Sequence, residues 1–258
     1  MHWIFLDTGH HSGKFNMEFD ESLVRALAAG TGTSTVRVYG WRPPAISLGW
    51  NQRLEEIDEA KAQDEGIDIV RRPTGGRAIL HSDELTYSVT MLSEAKNVSV
   101  VYNDISRALV QGLKTLGVEA SLEKSQPHFP SLYRASSSAA CFSSSARYEV
   151  QIDGRKLIGS AQRRYVGQNG KDIVLQHGSI LLGSDHRRLV RYLKALNDFE
   201  RESLKKDFEE KTIDLSTALG RKIPFEECSR AIKTGFEKAW GIGFESTKHD
   251  YAPTGTFA

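Results

Sequence analysis

The sequence predicts an α+β fold, with a largely antiparallel or mixed β-sheet covered by helices. Three observations predict it. Asp153-Gly154 and Asn169-Gly170 each separate two β-type runs, and such dipeptides in that setting are the strongest short-range hairpin signals. Strands follow one another through the middle of the chain without intervening helices, which argues against a doubly wound parallel sheet. Helical patterns gather instead from Asn16 to Ala29, from Ser99 to Leu116 and beyond Asp185.

In chain order, Trp3 to Leu6 reads as a first strand. The helix from Asn16 carries Phe15, Phe19, Leu23 and Leu27 four apart and ends at Gly30. Thr35 to Tyr39 alternates like a half-buried strand, Trp41-Arg42-Pro43-Pro44 breaks regular structure, and Ala45 to Leu48 is a short strand. Leu54 to Gln63 reads as a surface helix. Ile67 to Val70 and Ala78 to His81 are apolar runs on either side of a glycine turn, and Glu84 to Leu92 is expected to pair with the strand before it. Ser99 to Leu116 is the strongest helix, with Ile105, Leu109, Leu113 and Leu116 on one face, followed by a strand from Val118 to Leu122. From Ser125 to Ser145 serine, alanine and proline dominate and periodicity vanishes, which reads as a long irregular loop. Arg147 to Ile152, Arg155 to Gln162, Arg163 to Val166 and Asp172 to Leu182 are the strands around the two hairpin signals. Leu189 to Leu196, Ile213 to Leu219 and Phe225 to Trp240 look helical, Gly241 to Glu245 adds a last strand, and the tail from Lys248 is expected to fray. No linker composition marks a boundary, so residues 1–258 are expected to form one domain, with a core over about 30–220 and C-terminal helices packed on it.

Composition bounds the function. The 258 residues are 39% hydrophobic and 26% charged, an ordinary globular balance, and the net charge of +1 argues against a dedicated nucleic-acid binder. No signal-peptide core and no apolar run of membrane-spanning length occurs, so the expected location is the cytoplasm, with no membrane partner. There, Cys141 and Cys228 are expected to be free thiols.

Several residues could carry chemistry. The stretch Arg71-Arg72-Pro73-Thr74-Gly75-Gly76-Arg77, before Ala78 to His81, sets two side-chain-free residues among three guanidinium groups. Exposed backbone N–H groups beside cations suit a phosphate or carboxylate, while a hairpin turn with solvated arginines is an equally good account. Cys141 lies in the irregular segment shortly before Arg155 and Lys156, where cations can lower a thiol pKa from about 8.5; Cys228 sits between Glu227 and Ser229, in acidic company. Lys156 precedes the small-residue run Gly159-Ser160-Ala161, which would let another group approach closely, although a solvated hairpin lysine is the ordinary alternative. His81 and His177 stand beside strand residues, as ligand-facing groups or as hydrogen-bonded core histidines. No spacing resembles a zinc site, a Walker loop or a dinucleotide fingerprint, so no metal is expected.

Read together, three segments resemble the biotin/lipoate protein ligase superfamily: Arg71 to His81, Gly154 to Gln162 around Lys156, and Leu175 to Leu182 around His177-Gly178. Asn16 to Glu21 and Pro44 to Gln52 support the likeness, which covers roughly residues 3 to 240. It implies a biotin/lipoate ligase-like catalytic domain with substrate-binding roles for Arg71, Arg72, Gly75, Gly76, His81, Gly159, Ser160, His177 and Gly178. Within the superfamily, Cys141-Phe142 and Tyr148-Glu149, with Lys156 fifteen residues past Cys141, are similar to an octanoyltransferase class with a mid-chain cysteine. The serines around Cys141 depart from that class's more usual proline- and alanine-containing pattern. The resemblance implies octanoyl transfer from acyl carrier protein, through a thioester on Cys141, to a lysine of a lipoyl-domain protein such as the glycine-cleavage H protein. It implies no ATP and no cofactor, and a Lys156 that favours the thiolate, meets the oxyanion, or accepts the attacking amine's proton when neutral. Some of Arg71, Arg72, Arg77, Arg163, Arg164, Arg187 and Arg188 are expected to supply a docking surface for an acidic carrier, with scattered solvated arginines at least as good an account of Arg187 and Arg188. The rival is an ATP-dependent lipoate or octanoate ligase, in which Cys141 would be incidental. A biotin ligase fits the glycine turn and Gly-Ser-Ala-Gln segment less well, and retention of both Cys141 and Lys156 counts against a non-catalytic binding protein.

Overall fold

One strand shows how the layers are built. Along β10 (Asp172–Leu181) every residue from Ile173 is buried, and alternate side chains serve different cores. Ile173 and Leu175 pack with Val24 and Leu27 of helix α1 (Gly13–Ala28). Val174 and Ile180 join the main core, which takes Val101, Ile105 and Leu109 from α3 (Val98–Thr115). A strand covered on both faces reads as a continuous apolar run, and a β period of two divides it between the layers. The computed structural model describes residues 2–94, 96–123, 149–194 and 196–245. The expected irregular loop from Ser125 to Ser145, Cys141 included, lies outside the described residues, as does the tail beyond Glu245.

Among the described residues the large sheet has eight strands, in the order β11 (Phe244–Glu245), β1 (Trp3–His11), β2 (Ser34–Trp41), β6 (Glu84–Leu92), β10, β9 (Arg155–Val166), β8 (Val150–Ile152) and β7 (Ser121–Leu122). It is mixed. β1 runs parallel to β2 and β11, and the other neighbours are antiparallel. Asp153 and Gly154, both at positive φ, close the β8–β9 hairpin as expected from the sequence. A second sheet of three strands has the order β4 (Asp68–Arg71), β3 (Ala45–Leu48), β5 (Ile79–His81).

This second sheet corrects two expectations. β5 does not pair with β6 but with β3, while β6 lies between β2 and β10 in the other sheet. The glycine turn is not a hairpin either, because β3 lies between the two strands it joins. Its backbone therefore crosses the end of β3, and the crossing is tight: a Cβ on Gly49 would stand 2.0 Å from the Gly76 carbonyl oxygen. Only glycine fits there. Short-range patterning identifies strands, but their partners are set by contacts far apart in sequence, here including His81 Nε2 against Ser47 Oγ at 2.8 Å between β5 and β3.

Helix α3 packs on α6 (Phe225–Trp240) through glycines, since a Cβ on Gly235 would lie 2.4 Å from the Gly112 nitrogen. The expected surface helix from Leu54 is a 3-10 turn (Leu54–Glu56) and a short α2 (Glu59–Asp64), separated where Ile57 bridges to Leu193. The C-terminal helical region comprises a 3-10 helix (Asp185–Tyr192), α4 (Asp198–Lys211), α5 (Leu215–Leu219) and α6. Among the described residues no helix is long and apolar enough to cross a membrane.

His186, on that 3-10 helix, makes the fold acid-sensitive. Its Nε2 is 2.9 Å from Thr212 Oγ1 and its ring stands edge-on to Phe208. Burial, aided by Arg187, pushes its pKa down to about 4. The folded value lies below the ordinary 6.5, so this contribution is present above about pH 6.5 and is lost as pH falls towards 4. The loss is about 3 kcal/mol over that window, or a Tm lower by roughly 6–12 °C. Melting at pH 7 and pH 4.5 checks it, and His186→Gln should flatten the difference.

Candidate active site

The glycine loop is built from within by its own arginines. Arg72 is buried, and its guanidinium donates to the carbonyls of Ser47, Gly75 and Arg77 and to Ser47 Oγ at 2.7–3.2 Å. Arg71 Nη1 donates to the carbonyls of Gly49, Trp50 and Gln52 at 2.7–3.0 Å. Arg163 Nη1 reaches across from β9 to the Pro73 carbonyl at 2.8 Å. Carbonyls of the glycine loop thus take up guanidinium donors from Arg72 and Arg163, while Arg71 holds the segment that follows β3. Gly75 and Gly76 remain exposed at the loop's surface.

Below the loop two polar chains converge, each ending on a histidine. In the first, Asp20 and Arg37 form a fully buried ion pair at 2.8 Å, and Asp20 also accepts from Tyr39 Oη and Ser88 Oγ. Its other contact is His177 Nδ1, at 3.4 Å, and His177 Nε2 lies 2.6 Å from Thr74 Oγ1. Burial acts to raise the Asp20 pKa, but Arg37 and His177 outweigh it and hold the carboxyl below its ordinary range. Burial pushes the His177 pKa down, with Asp20 opposing. The neutral ring then donates from Nδ1 to Asp20 and accepts at Nε2 from the Thr74 hydroxyl, a tautomer assigned from this network. Helix α1 is thereby linked to the glycine loop through the His-Gly strand.

In the second chain, His81 Nε2 is 2.8 Å from Ser47 Oγ and Nδ1 is 3.0 Å from Glu84 Oε1. Thr86 also donates to Glu84 and accepts from Trp41 Nε1. Burial acts to raise the Glu84 pKa, yet His81 and the hydroxyl donors hold it down. Between the chains lies a cleft walled by Met17, Tyr39, Trp41 and Ile79 on its apolar side. Arg72, His81, Gly159, Ser160, His177 and Gly178 complete it, so six of the expected binding residues share one cavity. The small residues are required there: a Cβ on Gly178 would lie 2.5 Å from the Gly159 carbonyl and 2.8 Å from the Tyr87 ring.

Lys156 is turned towards this side by a bulge. Ile158 pairs with Val150, but Lys156 pairs with Gln151, so β9 carries one extra residue. Val150 and Gln151 face opposite ways, which puts Lys156 on the face opposite Ile158, that of Gly159, Ala161 and the cleft. Lys156 does not line the cleft itself. It is buried, with Nζ 2.8 Å from Oε1 of the equally buried Glu149. Cys141 falls outside the described residues. Cys228 is buried in α6, and burial, with Glu227, pushes its thiol up to about 12, so it is inert at neutral pH.

Sequence reasoning missed Glu149, Asp20 and Thr74 as parts of the site. Each lay inside a stretch already singled out: Glu149 beside Tyr148, Asp20 within Asn16 to Glu21, Thr74 within the glycine segment. Thr74→Val removes the hydroxyl donated to His177 and leaves a buried acceptor without it, a change worth about 1–3 kcal/mol. Since the loop is what it holds, kcat/KM should fall roughly tenfold or more, while Thr74→Ser retains most activity.

The site thus combines a small-residue cleft beneath the glycine loop with a buried lysine–carboxylate pair on the same face of the sheet. The chain belongs to the lipoyl protein ligase A/B catalytic domain family, whose sequence profile matches residues 12–237. Proteins named octanoyltransferase LipM align along nearly all of it. That of Kyrpidia tusciae is 41% identical over 249 residues, covering 94% of this chain and 89% of that protein. That of Geobacillus kaustophilus is 39% identical over 251 residues, with 94% and 88% covered, and that of Bacillus subtilis 34% over 250 residues, with the same coverage. Among solved structures, the bipartite lipoate protein ligase of Thermoplasma acidophilum superposes with a TM-score of 0.76 at 22% identity, covering 96% of this chain and 87% of that one. Lipoate-protein ligase A bound with ATP superposes with a TM-score of 0.75 at 20% identity, over 96% and 89%. At those identities the structural likeness speaks for the fold.

Proposed function

We infer that the chain is an octanoyltransferase of lipoate biosynthesis, an acyltransferase whose acceptor is a lipoyl-domain protein. The observation that carries this is the alignment of octanoyltransferases at 34–41% identity over 94% of the chain. We further propose acyl carrier protein as donor, the glycine-cleavage H protein as acceptor and the cytoplasm as location, with one catalytic domain and no requirement for ATP, metal or cofactor.

The proposed chemistry has two exchanges. The Cys141 thiolate attacks the donor's thioester carbonyl; the new C–S bond forms, the carrier's C–S bond breaks, and the carrier thiolate leaves and takes a proton. The acceptor amine then attacks the acyl-enzyme, the amide forms, Cys141 leaves as thiolate, and the amine loses a proton. The first exchange is nearly isoenergetic and the second runs downhill, so no nucleotide is needed. Lys156, as the ammonium of its pair with Glu149, would stabilise the thiolate and the oxyanion. The acyl chain would lie against Met17, Tyr39, Trp41 and Ile79.

The test is octanoyl transfer from octanoyl-carrier protein to a lipoyl-domain protein without ATP, followed by intact mass. Transfer is expected. ATP–pyrophosphate exchange with free lipoate or octanoate, and no transfer from the carrier, would instead make the chain a ligase.

A further inference from the structure

Trp50 breaks the pattern of buried aromatic residues beside the glycine loop. Its side chain is 52% exposed just past β3, yet it is not loose. Its backbone N–H donates to the Thr74 carbonyl at 2.9 Å, and its own carbonyl accepts from Arg71. The Arg163 guanidinium lies 4.6 Å from the indole centroid, a cation–π contact that fixes the ring. The neighbouring charges are also unusual. Arg164 is paired with Asp172, and Arg188 with Glu65 and Asp185. Among the described residues neither Arg71 nor Arg163 has a carboxylate partner; their donors go to backbone carbonyls, which leave the positive charge uncompensated. An ordered, exposed indole flanked by unneutralised guanidinium groups has the composition of an interface hot spot.

We propose that Trp50, Arg71 and Arg163 form the docking surface for the acyl-carrier donor, with the indole as apolar anchor and the two guanidinium groups meeting the carrier's acidic surface. The inference rests on the octanoyltransferase reading for the donor's identity. Charge favours the donor over the acceptor. A carrier presents carboxylates and the phosphodiester of its prosthetic arm, and both are drawn to this patch. The acceptor must bring a lysine that is cationic until it loses its proton, and the same arginines repel it.

The experiment compares wild type, Trp50→Ala and Trp50→Glu with two donors: octanoyl-carrier protein and the small thioester octanoyl-N-acetylcysteamine. Binding of the holo-carrier is measured alongside by calorimetry. Trp50→Ala should raise KM and Kd for the carrier about tenfold, and Trp50→Glu should raise them further by adding a repelling charge. Transfer from the small thioester should be unchanged, and the difference between variants should shrink as salt screens the arginines. Equal losses with both donors, a loss confined to the acceptor's KM, or carrier binding indifferent to Trp50 would each overturn the assignment. Wild type that binds carrier through Trp50 but transfers nothing would overturn the octanoyltransferase reading and leave the docking surface standing.

Discussion

Cys141→Ala is expected to abolish both the octanoyl adduct and the transfer, lowering kcat/KM by roughly three orders of magnitude or more. The size follows from what the variant would have to do instead. Without a nucleophile, the acceptor lysine must attack the carrier thioester directly. Carrier and acceptor must also be held on the enzyme together, whereas an acyl-enzyme lets them visit in turn. The other cysteine offers no escape, because the Cys228 thiol is buried in α6 and pushed up to about 12. Cys228→Ser should therefore keep its adduct and its activity. Intact mass after incubation with octanoyl-carrier protein reads both variants, and an adduct surviving in Cys141→Ala would remove Cys141 from the mechanism.

How far the site was legible depends on how local its signals are. Turn chemistry at Asp153-Gly154 acts within four residues, and it placed the β8–β9 hairpin and Lys156 near its start. The pairing of β5 with β3 depends on contacts far apart in sequence, such as His81 with Ser47, and alternation cannot report them. The same holds for the polar network. Asp20 and His177 are 157 positions apart, and nothing local to either names the other. Arg72 is the instructive case. Three arginines around two glycines suggest an anion cradle, and the buried Arg72 does wall the cleft. Its donors, however, go to the carbonyls of Gly75 and Arg77 in its own loop and of Ser47 on β3. Sequence identified the charged stretch; only the crossing over β3 reveals that the charge also holds the backbone in place.

Breaking the Lys156–Glu149 pair should have a large effect on the folded state, and it separates structural from chemical roles. Both side chains are buried and 2.8 Å apart, so removing one takes from the other an opposite charge that offsets its desolvation. Glu149→Gln and Lys156→Met should each cost about 3–5 kcal/mol, seen as a Tm lower by roughly 6–20 °C. The double variant carries no stranded charge and should recover much of that loss, giving a strongly positive coupling in the cycle. Activity should behave differently. If the ammonium stabilises the Cys141 thiolate and the oxyanion, Lys156→Met and the double variant stay inactive although the double variant is well folded. Iodoacetamide alkylation followed against pH should then show the Cys141 thiol titrating higher in both. Recovery of activity along with stability would make the pair a purely structural device. An unchanged alkylation profile in the folded double variant would take the lysine away from the thiol. The bulge that turns Lys156 towards the cleft gives a reason to expect neither.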